Sequence, residues 1–285
     1  MAHLFLRFPG NRHKALTFSY DDGPREDARL AALFDKYGIK ATFNLNSGSF
    51  PSEDKKGSDT FRMTKEEAFE LFHNSNHEVA VHTLSHAMLD KIGVGEAAYE
   101  VAKDRENLEE LFGGFIRGMS YPYGHYFGED RERVKSIVRD AGILYARTSD
   151  ETHDFAIPED WLMLDPTCHH ADPQIYDLLK KFFETDYSKR DRDPLLFYIW
   201  GHSFEFGPNF SNNWPLIEEL AEKCSGREDV WYATNIEIFS YIEAYNRLLF
   251  SRNKRYVYNP TQTEICFFFN EKDYTIKPGE TITLD

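Results

Sequence analysis

The stretch KALTFSYDDGP, residues 14–24, decides the fold. Its first seven residues form a β-rich run, which ends abruptly in two aspartates, a glycine and a proline. An apolar run stopped by Gly-Pro predicts a strand that ends in a turn. The same order, a short β-rich run followed by polar residues and then by helical spacing, recurs along the chain to about residue 250. We therefore expect strands and helices to alternate.

Seven strand and helix pairs are predicted. The strand runs lie at residues 14–20, 41–46, 78–82, 117–121, 143–147, 195–200 and 230–233. The helical spacings lie at residues 26–37, 64–72, 96–112, 131–141, 173–183, 214–224 and 236–249. Parallel strands need crossover connections, so this alternation favours a parallel α/β sheet covered by helices. The number of units favours a barrel with one unit missing over an open sheet.

The character of the chain changes after residue 250. Short β-rich runs at residues 256–258, 265–269 and 281–284 are separated by turn signals at 259–260, 270–273 and 278–279. We predict a barrel domain over residues 1–250 and a small β-rich C-terminal extension over residues 251–285. The interval 148–194, between the fifth and sixth runs, is long enough to be functional or to hold extra elements.

Composition excludes several classes of protein. The chain has 285 residues, and its 33 lysines and arginines against 48 aspartates and glutamates give a net charge of −15, which disfavours nucleic acid and anionic membranes as partners. Residues 1–7 are too short and too polar for a signal peptide, so we expect a cytoplasmic protein, a removed leader being the alternative. Cys168, Cys224 and Cys266 are too far apart for a zinc ribbon and are interpreted as reduced structural thiols. Composition predicts no oligomeric state.

Polar residues follow the predicted strands where a barrel places its site, at the carboxyl ends. Asp21 and Asp22 follow the first run, and such a pair by itself commonly caps a helix. His82 and His86 follow the third run, four residues apart, a spacing at which two imidazoles can share a metal. Two histidines with one carboxylate leave positions open for water and substrate. The combination predicts a metal site.

Four motifs in this order resemble the polysaccharide deacetylases of carbohydrate esterase family four. They are TFSYDDGP at 17–24, HTLSH at 82–86, YPYG at 121–124 and LFYIWGH at 196–202. The resemblance implies a distorted (β/α)7 barrel with a short C-terminal β appendage. It also implies hydrolysis of N- or O-acetyl groups on a polysaccharide or oligosaccharide with the help of one divalent metal, Zn²⁺ first, with Co²⁺, Ni²⁺ or Mn²⁺ as alternatives.

The resemblance assigns roles to individual residues. Asp21 would be the general base, His202 the general acid, and the backbone N–H of Tyr123 a donor to the oxyanion. The carboxylate and imidazole ligands of the metal would be Asp22, His82 and His86. These types suit the chemistry, because a bound metal activates water and polarises a carbonyl, while a free carboxylate removes the remaining proton.

Two departures from the family pattern concern the groups that orient the base and the acid. An arginine of the family that pairs with the base is replaced by Ser120. We expect Arg147 to take its place, a surface ion pair being the alternative, since Arg117 lies at the wrong end of its strand. The aspartate that tunes the acid is matched only approximately, by Asp154.

Further residues are expected to contact substrate at the mouth. Cys168-His169-His170 lies on the long interval, and adjacent histidines in extended chain face opposite sides, so substrate contact is favoured over a second metal, with structural packing as the alternative. The segment 204–214 mixes aromatic rings with amides, as a sugar-contacting loop does. The predicted substrate contacts are Tyr121, Pro122, His125, His169, His170, Phe204 and Trp214.

Three rival functions remain open at this stage. A non-haem iron oxygenase also uses two histidines and one carboxylate, but it needs an antiparallel double-sheet barrel. A non-catalytic carbohydrate-binding protein that keeps the deacetylase fold is favoured by the serine at position 120 and disfavoured by the otherwise complete motif set. A metal-free relative acting on cyclic amides is disfavoured because both histidines are present.

Overall fold

A computed structural model of the chain describes residues 4–51, 61–124, 128–186 and 193–284. Its helices are α1 Asp27–Lys36, α2 Lys65–Phe72, α3 Val94–Phe112, α4 Arg131–Asp140, α5 Ile175–Glu184, α6 Trp214–Cys224 and α7 Asn235–Asn246. Its strands are β1 Leu4–Arg7, β2 Lys14–Asp21, β3 Ala41–Leu45, β4 Glu78–Val81, β5 Gly118–Ser120, β6 Tyr145–Arg147, β7 Cys168–His169, β8 Leu195–Gly201, β9 Val230–Tyr232, β10 Leu249–Phe250, β11 Tyr256–Tyr258, β12 Ile265–Phe269, β13 Lys272–Ile276 and β14 Thr281–Thr283.

Strand β2 lies at the centre of a parallel sheet, and all eight of its residues are buried. The strand order is β6-β5-β4-β3-β2-β8-β7, and β9 pairs with the first residues of β2. Large apolar side chains of β2 pack outward on α1, where the ring of Phe18 lies 4.7 Å from that of Phe34. Because side chains alternate along a strand, the small polar residues Thr17 and Ser19 share the opposite, inner face with Asp21. Asp21 therefore lies at the carboxyl end of the barrel interior.

The long interval after β6 bridges the two ends of this strand order. Leu164 pairs in parallel with Arg147 of β6, and β7 pairs in parallel with Ile199 and Trp200 of β8. The predicted distorted (β/α)7 barrel is confirmed. All seven predicted strand runs and all seven predicted helices are present, with ends that differ by a few residues.

The C-terminal residues form two small antiparallel sheets, β1-β12-β13 and β10-β11-β14. The predicted turn at residues 270–273 is wrong in its extent. The turn is confined to Asn270 and Glu271, both at positive φ, and β13 resumes at Lys272. Strand β1, which the sequence did not reveal, pairs with β12, so the β-rich region also uses the first residues of the chain. The division at residue 250 stays a prediction.

The three cysteines are free and buried, as predicted. Within the described ranges, no helix combines the length and the apolar character that crossing a bilayer requires.

Candidate active site

Asp21 is held at the barrel mouth by three donors from neighbouring strands. The Arg147 guanidinium forms an ion pair with Oδ2. Asn44 Nδ2 and the Ser120 hydroxyl donate to Oδ1 over 2.9 and 3.0 Å. Burial alone would raise the pKa of Asp21, but the Arg147 charge, with smaller effects from His82 and His202, lowers it to about 2. Asp21 is thus a fixed, ionised carboxylate in a buried position, and Arg147 lies where the sequence predicted it.

Asp22, His82 and His86 converge beside this carboxylate. Oδ1 of Asp22 lies 3.8 Å from Nε2 of His82 and 3.5 Å from Nε2 of His86. One ligand atom from each of the three residues lies within 4.8 Å of those of the other two. His86 lies in a turn rather than on a helix, with φ of +63°. The three predicted metal ligands are therefore brought together.

Hydrogen bonds set the tautomer of His82 for ligation. Its Nδ1 lies 2.9 Å from the Ser120 carbonyl oxygen, which can only accept, so Nδ1 carries the proton. The Nε2 lone pair is left facing Asp22 and His86. Ser120 Oγ lies 2.7 Å from the same nitrogen while its hydroxyl donates to Asp21. Ser120 thereby orients both Asp21 and His82.

These residues fit a divalent ion. Asp22 Oδ1 is buried and has no hydrogen-bond donor among the described residues, although a buried carboxylate oxygen needs one or a cation. Atoms bound at about 2.0–2.2 Å to one tetrahedral ion lie about 3.3–3.6 Å apart, close to the separations found here. Burial lowers the pKa of His82, and burial together with His82 lowers that of His86 to about 4, so both imidazoles are neutral, as ligation requires.

The backbone is strained around this cluster. Four of its non-glycine residues have φ between +62° and +79°, a region that L-residues rarely occupy. They are Asp22, Thr83, His86 and Tyr123. Such strain persists where surrounding contacts enforce it, and it concentrates at functional sites. The Asp22 carbonyl, for example, accepts a hydrogen bond of 2.7 Å from Arg62 Nη1.

His202 follows β8 at the same rim and pairs with Glu205. Its Nδ1 lies 2.7 Å from Glu205 Oε1. Burial opposes the imidazolium, but the bond to Glu205 and the charge of Asp21 outweigh it and raise the pKa of His202. The assignment of Asp154 to this tuning role is wrong, because Asp154 is exposed and its carboxylate accepts from the Phe155 backbone instead.

Glu205 is also approached by His169 and His170. Their Nε2 atoms lie 3.2 and 3.4 Å from its carboxylate oxygens. His169, His202 and Glu205 could by spacing hold a second ion. However, Nδ1 of His169 accepts from the Ala171 backbone N–H over 3.2 Å, so Nε2 carries the proton and donates to Glu205. This tautomer is the opposite of the one at His82, and it favours a hydrogen-bond network over a second metal.

The other predicted substrate contacts divide by burial. Phe204 is half-buried at the rim. Tyr123, predicted as the backbone donor to the oxyanion, is 56% exposed, and its ring lies 4.5 Å from that of His86. Other predicted contacts have buried side chains, and their contact with substrate stays a prediction: Tyr121 bonds to the Leu162 carbonyl, and Trp214 packs 5.4 Å from Phe206. Buried in the same way are Pro122 and His170. His125 lies outside the described residues.

Sequence reasoning missed Asn44, Glu205 and the hydrogen bonds that Ser120 makes with Asp21 and His82. Asn44 was visible as a polar residue near the end of a strand, which was the available signal. Glu205 lies one helical turn after His202, a spacing at which side chains meet.

The model of the family described as polysaccharide deacetylase matches residues 9–146, which contain the first three motifs. The match agrees with the predicted resemblance to the polysaccharide deacetylases, a family of hydrolases. No curated protein sequence matches the chain significantly.

Solved structures share the fold at low identity. A putative polysaccharide deacetylase from Mycobacterium smegmatis is 15% identical, with 85% of this chain and 94% of that chain covered and a TM-score of 0.55. PuuE allantoinase is 14% identical, with 82% and 91% covered and a TM-score of 0.58. The Streptococcus pyogenes deacetylase PplD, in complex with acetate, is 19% identical, with 52% of this chain covered and a TM-score of 0.44, and the match spans only 61% of its length.

Proposed function

We propose that the protein removes N- or O-acetyl groups from a carbohydrate with one divalent metal ion. The observation that carries this proposal is the convergence of Asp22, His82 and His86 on one point, with Asp21 on one side. A buried, unsatisfied Asp22 oxygen supports metal binding there. Zn²⁺ is the first candidate because neutral imidazole and carboxylate ligands suit it.

The proposed ion would activate a water molecule and polarise the acetyl carbonyl. Asp21 would take the proton of the attacking water, since its low pKa keeps it ionised and its three donors fix its direction. Arg147, Asn44 and Ser120 thus position the base rather than react.

His202 would give its proton to the leaving amine or hydroxyl. Its raised pKa favours the imidazolium, and Glu205 fixes the ring by accepting from Nδ1, which leaves Nε2 to act as the donor. The backbone N–H of Tyr123 remains the proposed donor to the oxyanion.

Acetate release from acetylated oligosaccharides tests the proposal. Protein stripped with a chelator and then reloaded with Zn²⁺, Co²⁺, Ni²⁺ or Mn²⁺ should regain activity with one ion bound per chain. His82→Ala should lose both the ion and activity, whereas Asp21→Asn should keep the ion and lose activity. A fully loaded wild type that binds oligosaccharide without releasing acetate would support the non-catalytic alternative. Hydrolysis of a cyclic amide by metal-free protein would overturn the metal assignment.

A cytosolic location is also a proposal, under which oligosaccharides or small glycosides are the substrates.

A further inference from the structure

Three phenyl rings form a continuous surface next to His202. The ring centroid of Phe204 lies 4.9 Å from that of His202. The same ring lies 5.3 Å from Phe61 and 4.7 Å from Phe210. We name Phe61, Phe204 and Phe210 the aromatic wall.

The wall joins the two loops that carry the proposed base and acid. The Phe61 carbonyl accepts from the Arg25 backbone over 2.9 Å, and the Met63 backbone donates to Gly23 over 3.2 Å. These bonds tie Phe61 to the turn that follows Asp21 and Asp22.

The loop that carries the other two rings is closed on itself. Gly207 N–H donates to the Phe204 carbonyl over 2.9 Å, and Asn212 N–H donates to the Gly207 carbonyl over 3.0 Å. The wall is therefore largely pre-formed, as small-molecule sites usually are.

Exposure distinguishes the wall from ordinary core packing. Phe206 lies on the same loop and is 1% exposed in the hydrophobic core, whereas Phe210 is 60% exposed. The loop thus buries one phenylalanine and presents another, Phe210, to solvent, and Phe210 is joined to His202 through the ring of Phe204. An exposed aromatic face in such a position suits a ligand with an apolar face of its own.

We propose that the aromatic wall binds the sugar ring that carries the leaving amine or hydroxyl. This inference rests on the proposed function, because His202 must reach the leaving atom within about 2.6–3.2 Å to protonate it. The ring attached to that atom then falls next to Phe204. The C–H face of a pyranose can pack on the flat phenyl rings while its hydroxyls stay in water. The acetyl group lies on the other side, toward Tyr123 and His86.

Phe210→Ala tests this assignment, because the exposed ring can be removed without disturbing the core. Tri-N-acetylchitotriose and N-acetylethanolamine present the same amide bond, with and without a sugar ring. We expect the variant to raise KM for the trisaccharide roughly three- to tenfold, with kcat and the turnover of N-acetylethanolamine little changed. Phe210→Trp should restore KM. Phe115→Ala is the matched control, since Phe115 is 87% exposed and precedes β5, at the opposite end of the barrel.

Calorimetric binding of the trisaccharide to the same variants gives a readout without turnover. Weaker binding by Phe210→Ala, with unchanged binding by Phe115→Ala, supports the wall even if no acetate is released, in which case the proposed function alone fails. Unchanged Kd and KM in Phe210→Ala would overturn the wall and leave the proposed function standing.

Discussion

At the scale of single residues, the serine at position 120 changes how the base is held. Its hydroxyl bonds to Asp21 and its carbonyl to His82, while the guanidinium comes from Arg147 on the next strand, β6. Ser120 and Arg147 are partners in the register of β5 and β6. An arginine at position 120 or at position 147 therefore has its backbone at the same height along the barrel. The guanidinium that pairs with Asp21 thus comes from β6, while β5 supplies the Ser120 hydroxyl.

Arg147→Met should therefore raise the pKa of Asp21 by removing its main stabilising charge. The acidic limb of the pH profile of kcat/KM should move upward, and kcat/KM at neutral pH should fall roughly 10²-fold. Arg147→Lys should recover part of the lost kcat/KM, because lysine restores the positive charge but lacks the planar array of donors of the guanidinium. Metal content measured on the same samples should stay near one ion per chain. An unmoved acidic limb would contradict this role.

Glu205 is expected to control the basic limb of the same profile. It holds the pKa of His202 up against burial, so Glu205→Gln should lower that pKa and shift the basic limb toward lower pH. His202→Asn should remove this limb and cost roughly 10²–10⁴ in rate while metal stays bound. Asp154→Asn is the matched control, because Asp154 is exposed and bonds elsewhere. A shift in the Asp154 variant, with none in the Glu205 variant, would reverse the assignment.

At the scale of elements, helix α3 holds the loop that carries both histidines. Asp104 accepts from the backbone N–H of His82 over 3.0 Å, and Glu100 accepts from the backbone and hydroxyl of Ser85 over 2.8 Å each. The two carboxylates are one turn apart on the buried face of α3. The helix thus fixes the segment 82–86 at its first residue and at its fourth.

Asp104→Asn should weaken metal binding, because an amide cannot accept both of the backbone N–H groups that Asp104 now satisfies. Outer contacts of metal ligands typically contribute 10–100-fold to affinity, so a loss in this range is expected. Competition with a chromogenic chelator measures it directly. Glu106→Gln, on the exposed side of the same helix, should leave the affinity unchanged. Equal metal affinities in the two variants would rule out this role of Asp104.

The elements show what local sequence patterns can and cannot predict. The strand β2 and its two aspartates were predictable, because alternation and a Gly-Pro stop are local signals. Strand β1 was not, because its apolar residues pair with β12, some 260 residues away, and no local pattern encodes a partner. The same holds for the site. The proposed metal ligands within residues 21–86 could be predicted from local motifs, whereas the contact of Glu205 with His202 depends on how the turn after β8 folds.

At the scale of the whole molecule, the barrel has a polar interior at both ends. The inner face of β2 carries Thr17, which donates to Asn235, and Ser19, which accepts from Asn44. Asn235 in turn donates to Tyr198 over 2.6 Å, joining α7 to β8. Each of these three hydrogen bonds joins two different elements, so together they tie β2 to β3 and, through α7, to β8.

Glu78 at the barrel base makes the stability of the whole fold depend on pH. Its carboxyl accepts from Tyr145 and Thr42 over 2.7 and 2.9 Å, yet burial outweighs these bonds and raises its pKa to about 7. Since the folded pKa lies above the unfolded value of 4.5, the stabilisation is complete below about pH 4.5 and is lost as pH rises through 7. Glu78→Gln cannot ionise, so the wild type should lose about 3 kcal/mol relative to this variant between pH 4.5 and 8. Urea unfolding of both proteins across this range measures the difference, with the exposed Glu222→Gln as control. Parallel curves for wild type and Glu78→Gln would mean that Glu78 is already ionised in the folded state, held by the donors around it.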